Sequence, residues 1–178
     1  DTINQLSSQS SCDWLVMGWD GRPTTGIFIT NPIGWLLANI NSNLALYRDN
    51  GVRYVGKVLL ALRPGRKDKN FISIAKNVCD YFGGSLTLLH VLPENSSTTE
   101  TVKHRSEEKL KQSGVDAEVL ILKSADPVET ISETSASYDL LILGTPEKDN
   151  WINVLFGGGK DKFTEKAACS VLRITLKD

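Results

Sequence analysis

A glycine-rich run near the end of the chain, Gly157-Gly158-Gly159-Lys160, has the residue types that hold anions. Glycines leave backbone N–H groups accessible, and the lysine that follows adds a positive charge, so the run could bind a phosphate or another anion. The alternative is a flexible loop that enters a short helix, since turn glycines need no ligand. On residue types alone the loop is the simpler interpretation.

The histidines and the strand-start aspartates form no recognisable catalytic or metal-binding group. His90 lies in an apolar run and His104 in a polar stretch, and neither has a cysteine or carboxylate at metal-ligand spacing. Asp13 and Asp139 each precede an apolar run, and neither has a second carboxylate beside it for acid–base work. The sequence therefore predicts no catalytic residue and no metal site.

Composition narrows the class of protein. The 178 residues are 40% hydrophobic and 23% charged, which is typical of a globular chain. A formal net charge of -1 argues against a nucleic-acid partner, and no apolar run approaches the roughly 20 residues that span a bilayer. Cys12, Cys79 and Cys169 are odd in number and widely spaced, which indicates free thiols in a reducing compartment. We therefore expect a cytosolic domain.

Short apolar runs bounded by turn residues predict strands that are buried on both faces. Between them, Asp68–Phe82 has apolar residues at helical spacing with Gly83 to end it, 99–114 is a polar helix, and Asp126-Pro127 starts another. This alternation predicts a parallel sheet with helices on both faces. The predicted strands are Trp14–Gly18, Leu44–Tyr47, Lys57–Leu62, Ser85–Leu92, Ala117–Lys123, Asp139–Gly144 and Cys169–Leu176.

An internal repeat divides the chain. The residues Cys12–Gly18 (CDWLVMG) match Tyr138–Gly144 (YDLLILG) at an offset of 126, and the same offset without a gap places 43–46 (NLAL) on 169–172 (CSVL). We therefore predict a polar linker at 1–11, the C-terminal half of a first unit at 12–50, and a complete unit at 57–176.

These runs, together with Lys57–Leu62 (KVLLAL) and Gly84–Val91 (GSLTLLHV), resemble the universal stress protein family in its tandem form. The resemblance implies an α/β fold whose parallel sheet has the order 3-2-1-4-5, extended by two strands of the partial unit. The segments 12–19 (CDWLVMGW) and 46–51 (LYRDNG) are similar to a junction found in cytosolic C-terminal domains of prokaryotic cation-chloride cotransporters and related amino-acid/polyamine/organocation transporters.

ATP-binding members of that family carry Gly-x2-Gly-x9-Gly-(Ser/Thr) after the fourth strand and an Asp after the first. Here Glu147 replaces the second glycine, Gly158 replaces the hydroxyl residue, and the segment that begins at Arg63 lacks the Asp. A carboxylate repels phosphate, and a missing hydroxyl removes a donor. The resemblance thus implies no ATP cofactor and at most a vestigial nucleotide or anion site at Gly144, Gly157, Gly158, Gly159 and Lys160.

Three functions fit the resemblance to different degrees. We predict a non-catalytic regulatory and dimerisation domain on the cytoplasmic side of a secondary transporter, whose membrane portion would be its partner. The alternative is a stand-alone universal stress protein that binds a nucleotide or another anion. An adenylate-forming enzyme would need a glycine/serine loop after the first strand, and the segment 63–68 (RPGRKD) has no serine.

The apolar partial unit must pack against something, because two strands alone are marginally stable. The repeat equates its last strand with the last strand of the complete unit, and family members commonly pair through that strand. We therefore expect 44–47 to run antiparallel beside 170–175, with Leu44, Leu46, Ser170 and Leu172 in the interface. This leaves 14–18 as an exposed apolar edge, so a homodimer or swapped pair is expected. Trp14, Trp19 and Trp35 could be core or interface residues.

Overall fold

A computed structural model describes residues 12–19, 42–65, 67–145 and 161–177 of the chain. Its strands are β1 (Trp14–Gly18), β2 (Asn43–Arg48), β3 (Lys57–Ala61), β4 (Ser85–Leu92), β5 (Glu118–Lys123), β6 (Leu140–Gly144) and β7 (Ser170–Thr175). The helices in the described segments are α1 (Asp68–Phe82), α2 (Thr99–Gln112), α3 (Pro127–Ser135) and the short α4 (Lys162–Lys166).

The strands form one seven-stranded sheet in the order β1-β2-β7-β6-β3-β4-β5. From β3 onward this is the predicted order 3-2-1-4-5, with every pair parallel. The parallel pair β1–β2 extends the sheet through an antiparallel contact between β2 and β7. The predicted fold class is therefore confirmed, including the two added strands. The division into a partial and a complete unit stays a prediction.

The central strands are buried on both faces. On one face Phe71 and Ile72 of α1 and Leu110 of α2 pack against alternate residues of β3, β4 and β6. On the other face Ile131 of α3 and Phe163 of α4 pack against the residues between them. This two-sided packing explains why the strand sequences are continuously apolar.

Local signals set the helix ends. Gly83 has a φ of 68° and its N–H donates to the carbonyl of Cys79, so α1 ends at the predicted glycine. The carboxylate of Asp126 accepts from the N–H groups of Val128 and Glu129 at 3.0 and 3.1 Å, as its position before Pro127 predicts. None of the helices in the described ranges is both long and apolar enough to cross a bilayer.

Several predicted strand ends were wrong by one residue. The strand β3 ends at Ala61 rather than Leu62, whose carbonyl accepts from a histidine of β4. The strand β7 starts at Ser170 rather than Cys169 and ends at Thr175, and β6 starts after Asp139. The carboxylate of Asp139 instead accepts hydrogen bonds from the backbone N–H groups of Gly56 and Lys57, just before and at the start of β3.

The ungapped repeat also needs a correction. Leu15 lies opposite Leu44, whereas Leu141, its match in the repeat, lies opposite Val171 rather than Ser170. The second strand of the complete unit is thus reached one residue later than the sequence match predicts. A shift of one residue reverses which face each side chain occupies, so the correct equivalence pairs Leu46 with Arg173.

Candidate functional site

The sheet reverses its order at β3, which has β4 on one side and β6 on the other. In open parallel sheets ligands bind outside the carboxyl ends of the strands at such a point. In this chain the position is formed by residues 62–65 after β3 and by residues 144–145 at the end of β6. We call these residues the switch-point site.

A buried histidine fixes the first residue of the segment that follows β3. The Nδ1 atom of His90 lies 2.8 Å from the Leu62 carbonyl, and its Nε2 atom lies 2.8 Å from the Ser106 hydroxyl of α2. The carbonyl can only accept, so Nδ1 carries the proton and Nε2 accepts from the hydroxyl. Burial lowers the pKa of His90 below 6.5, so the ring stays neutral in this position. His90 is therefore a positioning residue.

A buried carboxylate holds the far end of the same segment. Asp68, at the start of α1, accepts from the Gly65 N–H at 3.0 Å and pairs with the ammonium group of Lys109 on α2. That ammonium group also donates to the Gly65 carbonyl at 3.2 Å. Both backbone groups of Gly65 are thus engaged within the protein, which leaves neither free to hold a phosphate.

Gly144, which matches the first glycine of the nucleotide-binding pattern, has a packing explanation. A Cβ atom at this position would lie 2.9 Å from Cζ of Phe71, closer than real Cβ contacts allow. The Gly144 carbonyl accepts from the Arg173 guanidinium at 3.1 Å. The close approach of α1 therefore requires a glycine here without any ligand. The other predicted anion-site residues, Gly157, Gly158, Gly159 and Lys160, lie outside the described residues, as do Glu147 and Trp35.

A buried ion pair joins β7 to the start of α4. Nε of Arg173 donates to a carboxylate oxygen of Asp161 at 2.8 Å, and both side chains are buried. The same carboxylate accepts from the Thr164 hydroxyl at 2.7 Å and from the Phe163 N–H at 3.2 Å. Asp161 thus caps α4 and neutralises the charge of Arg173. The guanidinium group of this arginine is therefore not available to a ligand. Sequence reasoning missed the pair; the signal was an arginine within an apolar strand.

One cation of the switch-point site stays available. Arg63 is exposed directly after Leu62, and the described part of the chain offers it no hydrogen bond or ion pair. It stands where the nucleotide-binding pattern has an aspartate. A guanidinium group favours a phosphate or carboxylate ligand over a ribose hydroxyl.

The remaining chemically capable residues have structural roles. Asp139 accepts from the N–H groups of Gly56 and Lys57 at 2.9 and 2.8 Å. Burial raises the pKa of the Cys169 thiol to about 11 and also raises the pKa of Cys79, so neither is an activated nucleophile. Within the described ranges no three His, Cys, Asp or Glu side chains are grouped as metal ligands would be.

The predicted interface residues lie at the junction of β2 and β7. Leu44 and Leu46 are buried in β2, opposite Thr175 and Arg173. Leu172 lies opposite Tyr47.

Ser170 instead meets the linker after β2, where its hydroxyl accepts from the Asn50 N–H at 2.9 Å. Two further contacts were not predicted: Arg48 donates to the last carbonyls of α4, and Asn50 donates to the Ala168 carbonyl at 2.8 Å. These polar contacts fasten the linker to the turn between α4 and β7.

Comparison with known proteins supports the fold. No family model and no curated protein matches the chain. A universal stress protein from Archaeoglobus fulgidus matches 99% of this chain with a TM-score of 0.72 at 17% identity. A functionally unknown protein from Pseudomonas aeruginosa matches 99% with a TM-score of 0.66 at 16% identity, over 68% of its own length.

A universal stress protein in complex with cAMP matches 70% of this chain and 98% of its own, with a TM-score of 0.54 at 15% identity. The chain spans only 65% of the length of the Archaeoglobus protein. At these identities the likeness establishes the fold and not the ligand. The chain thus has the fold of the universal stress proteins, with a parallel sheet extended by an antiparallel strand pair.

Proposed function

We propose that this chain is a non-catalytic, ligand-binding domain that takes a small phosphate-bearing anion at the switch-point site. The observation that carries the proposal is the exposed Arg63 at the carboxyl end of β3, on a segment whose two ends are fixed by His90 and Asp68. Because the backbone of the segment is fixed at both ends, binding has to immobilise only the arginine side chain, which lowers the ordering cost.

A non-catalytic role fits the state of the candidate nucleophiles and bases. Both ring nitrogens of His90 are engaged, and the buried thiols have raised pKa values. The cAMP complex of a protein with this fold supports the proposal of a phosphate-bearing ligand. Tight ATP binding is not expected. Both backbone groups of Gly65 already form hydrogen bonds within the protein, and the side chain of Phe71 fills the space beside Gly144.

Calorimetric titration with cAMP, AMP and ATP, with and without magnesium, tests the proposal. We expect weak binding of the monophosphates, which Arg63→Ala lowers about tenfold, the effect of one charge-assisted hydrogen bond. Arg53→Ala is the matched control, because Arg53 is also exposed but lies before β3, at the opposite end of the strand. Equal binding by both variants contradicts the site. A dissociation constant for ATP near 1 μM, about 8 kcal/mol, contradicts the vestigial phosphate site.

A second candidate is the regulatory and dimerisation domain of a secondary transporter. The observation that favours it is the fastened junction of β2 and β7, in the region whose sequence resembles transporter-linked tandem domains. The test is to fractionate native cells and to detect the protein in each fraction with an antiserum against this chain. Recovery in the membrane fraction, at a mass well above 19.6 kDa, supports the transporter; recovery with the soluble proteins contradicts it.

A further inference from the structure

The linker between β2 and β3 contains the only Asn-Gly sequence of the chain, Asn50-Gly51. Asparagine readily loses its side-chain amide before a glycine, because glycine has no Cβ atom to hinder attack by its backbone nitrogen. Both residues are exposed, and Gly51 has a φ of 84°. Water can therefore reach the pair, and its reactivity depends on how firmly the linker is held.

Three hydrogen bonds hold the Asn-Gly pair, and we call them the linker contact. The Nδ2 group of Asn50 donates to the Ala168 carbonyl at 2.8 Å, and the Asn50 N–H donates to the Ser170 hydroxyl at 2.9 Å. The Gly51 N–H donates to the Asp49 carboxylate at 3.0 Å. The Ser170 hydroxyl also donates to this carboxylate, at 3.3 Å, and so connects the two residues that hold the pair.

Loss of the amide needs both held groups to be released. The Gly51 nitrogen gives up its proton and forms a bond to Cγ of Asn50, and the bond from Cγ to Nδ2 then breaks, so that ammonia leaves with that proton. Water opens the resulting cyclic imide to aspartate or isoaspartate, with no change of oxidation state. In the linker contact Ala168 holds the departing nitrogen, and the negative charge of Asp49 disfavours loss of the proton beside it.

We propose that Asn50-Gly51 is a deamidation site that is protected while the linker contact is formed and that reacts when this contact opens. Local opening of an exposed linker costs less free energy than unfolding of the whole domain, so the reaction proceeds in the folded protein. This site is separate from the switch-point site, and the inference does not depend on the ligand proposed there.

The product cannot restore the linker contact. An aspartate at position 50 has an acceptor where Asn50 has its donor, and this acceptor repels the Ala168 carbonyl. Isoaspartate also adds a carbon atom to the backbone, next to the turn in which Gly51 has its positive φ. A transient opening thus becomes a permanent release of the linker from the turn between α4 and β7.

Peptide mapping by mass spectrometry measures the protection. The full chain and a free peptide of residues 47–54 are kept at the same mildly alkaline pH, and amide loss at Asn50 is followed in both. We expect the loss to be at least about tenfold slower in the chain, because the linker contact must open first. Equal rates in the chain and the peptide overturn the proposal.

A serine variant tests whether the linker contact is the cause. Ser170→Ala removes the acceptor of the Asn50 N–H and should raise the rate of amide loss about fivefold, the effect of one hydrogen bond. Ser124→Ala is the matched control, because the Ser124 hydroxyl also bonds to backbone but lies in the turn before α3. A rate that Ser170→Ala leaves unchanged, or that both variants raise equally, overturns the proposal.

Hydrogen exchange separates local opening from general loss of stability. The amides of β4, in the middle of the complete unit, should exchange equally in the wild-type chain and in Ser170→Ala. If their exchange rises as much as the amide loss does, the reaction follows global unfolding, and the proposal is wrong.

Tryptic cleavage tests the effect of the product. Asn50→Asp has the side chain of the aspartate product, and cleavage after Arg48 or Arg53 should be about fivefold faster than in the wild-type chain, because the linker is open more often. Asn95→Asp is the matched control, since Asn95 is also exposed but lies in the loop after β4. Equal cleavage of the two variants contradicts a permanent release of the linker.

Discussion

The strand pairs β1–β2 and β6–β7 have matching sequences and the same parallel arrangement, yet their first strands differ in environment. Leu140 and Ile142 of β6 are 5% and 0% exposed, whereas Trp14 and Val16 of β1, their matches in the repeat, are 37% and 65% exposed. The difference comes from neighbours: β6 has β3 beside it and α1 across one face. An apolar run thus predicts a strand, but only its neighbours decide whether that strand becomes core.

The largest expected effect separates the matched residues Ile142 and Val16. Ile142→Ala removes a fully buried side chain and should lower the free energy of unfolding by about 2–5 kcal/mol, because the surrounding core leaves a cavity. Val16→Ala should change it by no more than about 0.5 kcal/mol at low protein concentration, where the edge is solvated. Urea denaturation measures both. Equal losses would show that β1 is covered as β6 is.

A smaller effect distinguishes the two matched glycines. Gly144→Ala brings a Cβ atom against the ring of Phe71 and should cost about 1–3 kcal/mol, the usual penalty for overpacking. Gly18→Ala meets nothing within 4 Å and should be nearly neutral.

Thermal or urea denaturation of both variants provides the comparison. Adding Phe71→Leu to Gly144→Ala should recover part of the loss, since the smaller side chain relieves the contact. If the pair of substitutions is simply additive, the contact with Phe71 is not the reason for the glycine.

The smallest effect concerns His90 of β4, which holds the first residue after β3, the strand beside β6. Burial lowers the pKa of His90, so near pH 6.5 the unfolded chain takes up a proton that the folded protein does not. The stability that His90 contributes is therefore present above pH 6.5 and decreases below it, by up to about 1.4 kcal/mol per pH unit.

Denaturation at several pH values compares two histidine variants. His90→Gln should remove this part of the pH dependence, although it also lowers stability. His104→Gln should keep it, because the His104 side chain is 74% exposed. A pH profile that His90→Gln leaves unchanged would show that His90 titrates normally in the folded protein.

Much of the fold could be predicted because the strands are continuous apolar runs and the helices have local start and stop signals. Asp126-Pro127 and Gly83 act on residues next to them, so their effect was visible in the sequence. The resemblance supplied the strand order and the antiparallel contact of β2 with β7, which composition and periodicity could not supply.

The site could be predicted only in part. The glycine pattern drew attention to Gly144, but the reason for this glycine is Phe71, which lies far from it in the chain. No spacing rule would have joined His90 to Ser106 or Asp161 to Arg173, because each pair is made by packing of separate elements.

The sequence by itself determined which segments of this protein become strands and helices, since those choices depend on neighbouring residues and on hydrophobic periodicity. Only the tertiary structure decided the one-residue shift at β7, the partners of the buried polar groups and the exposure of β1. The physical reason is that a buried charge or an unpaired backbone group must find a partner in space, and sheet register sets which distant residue provides it.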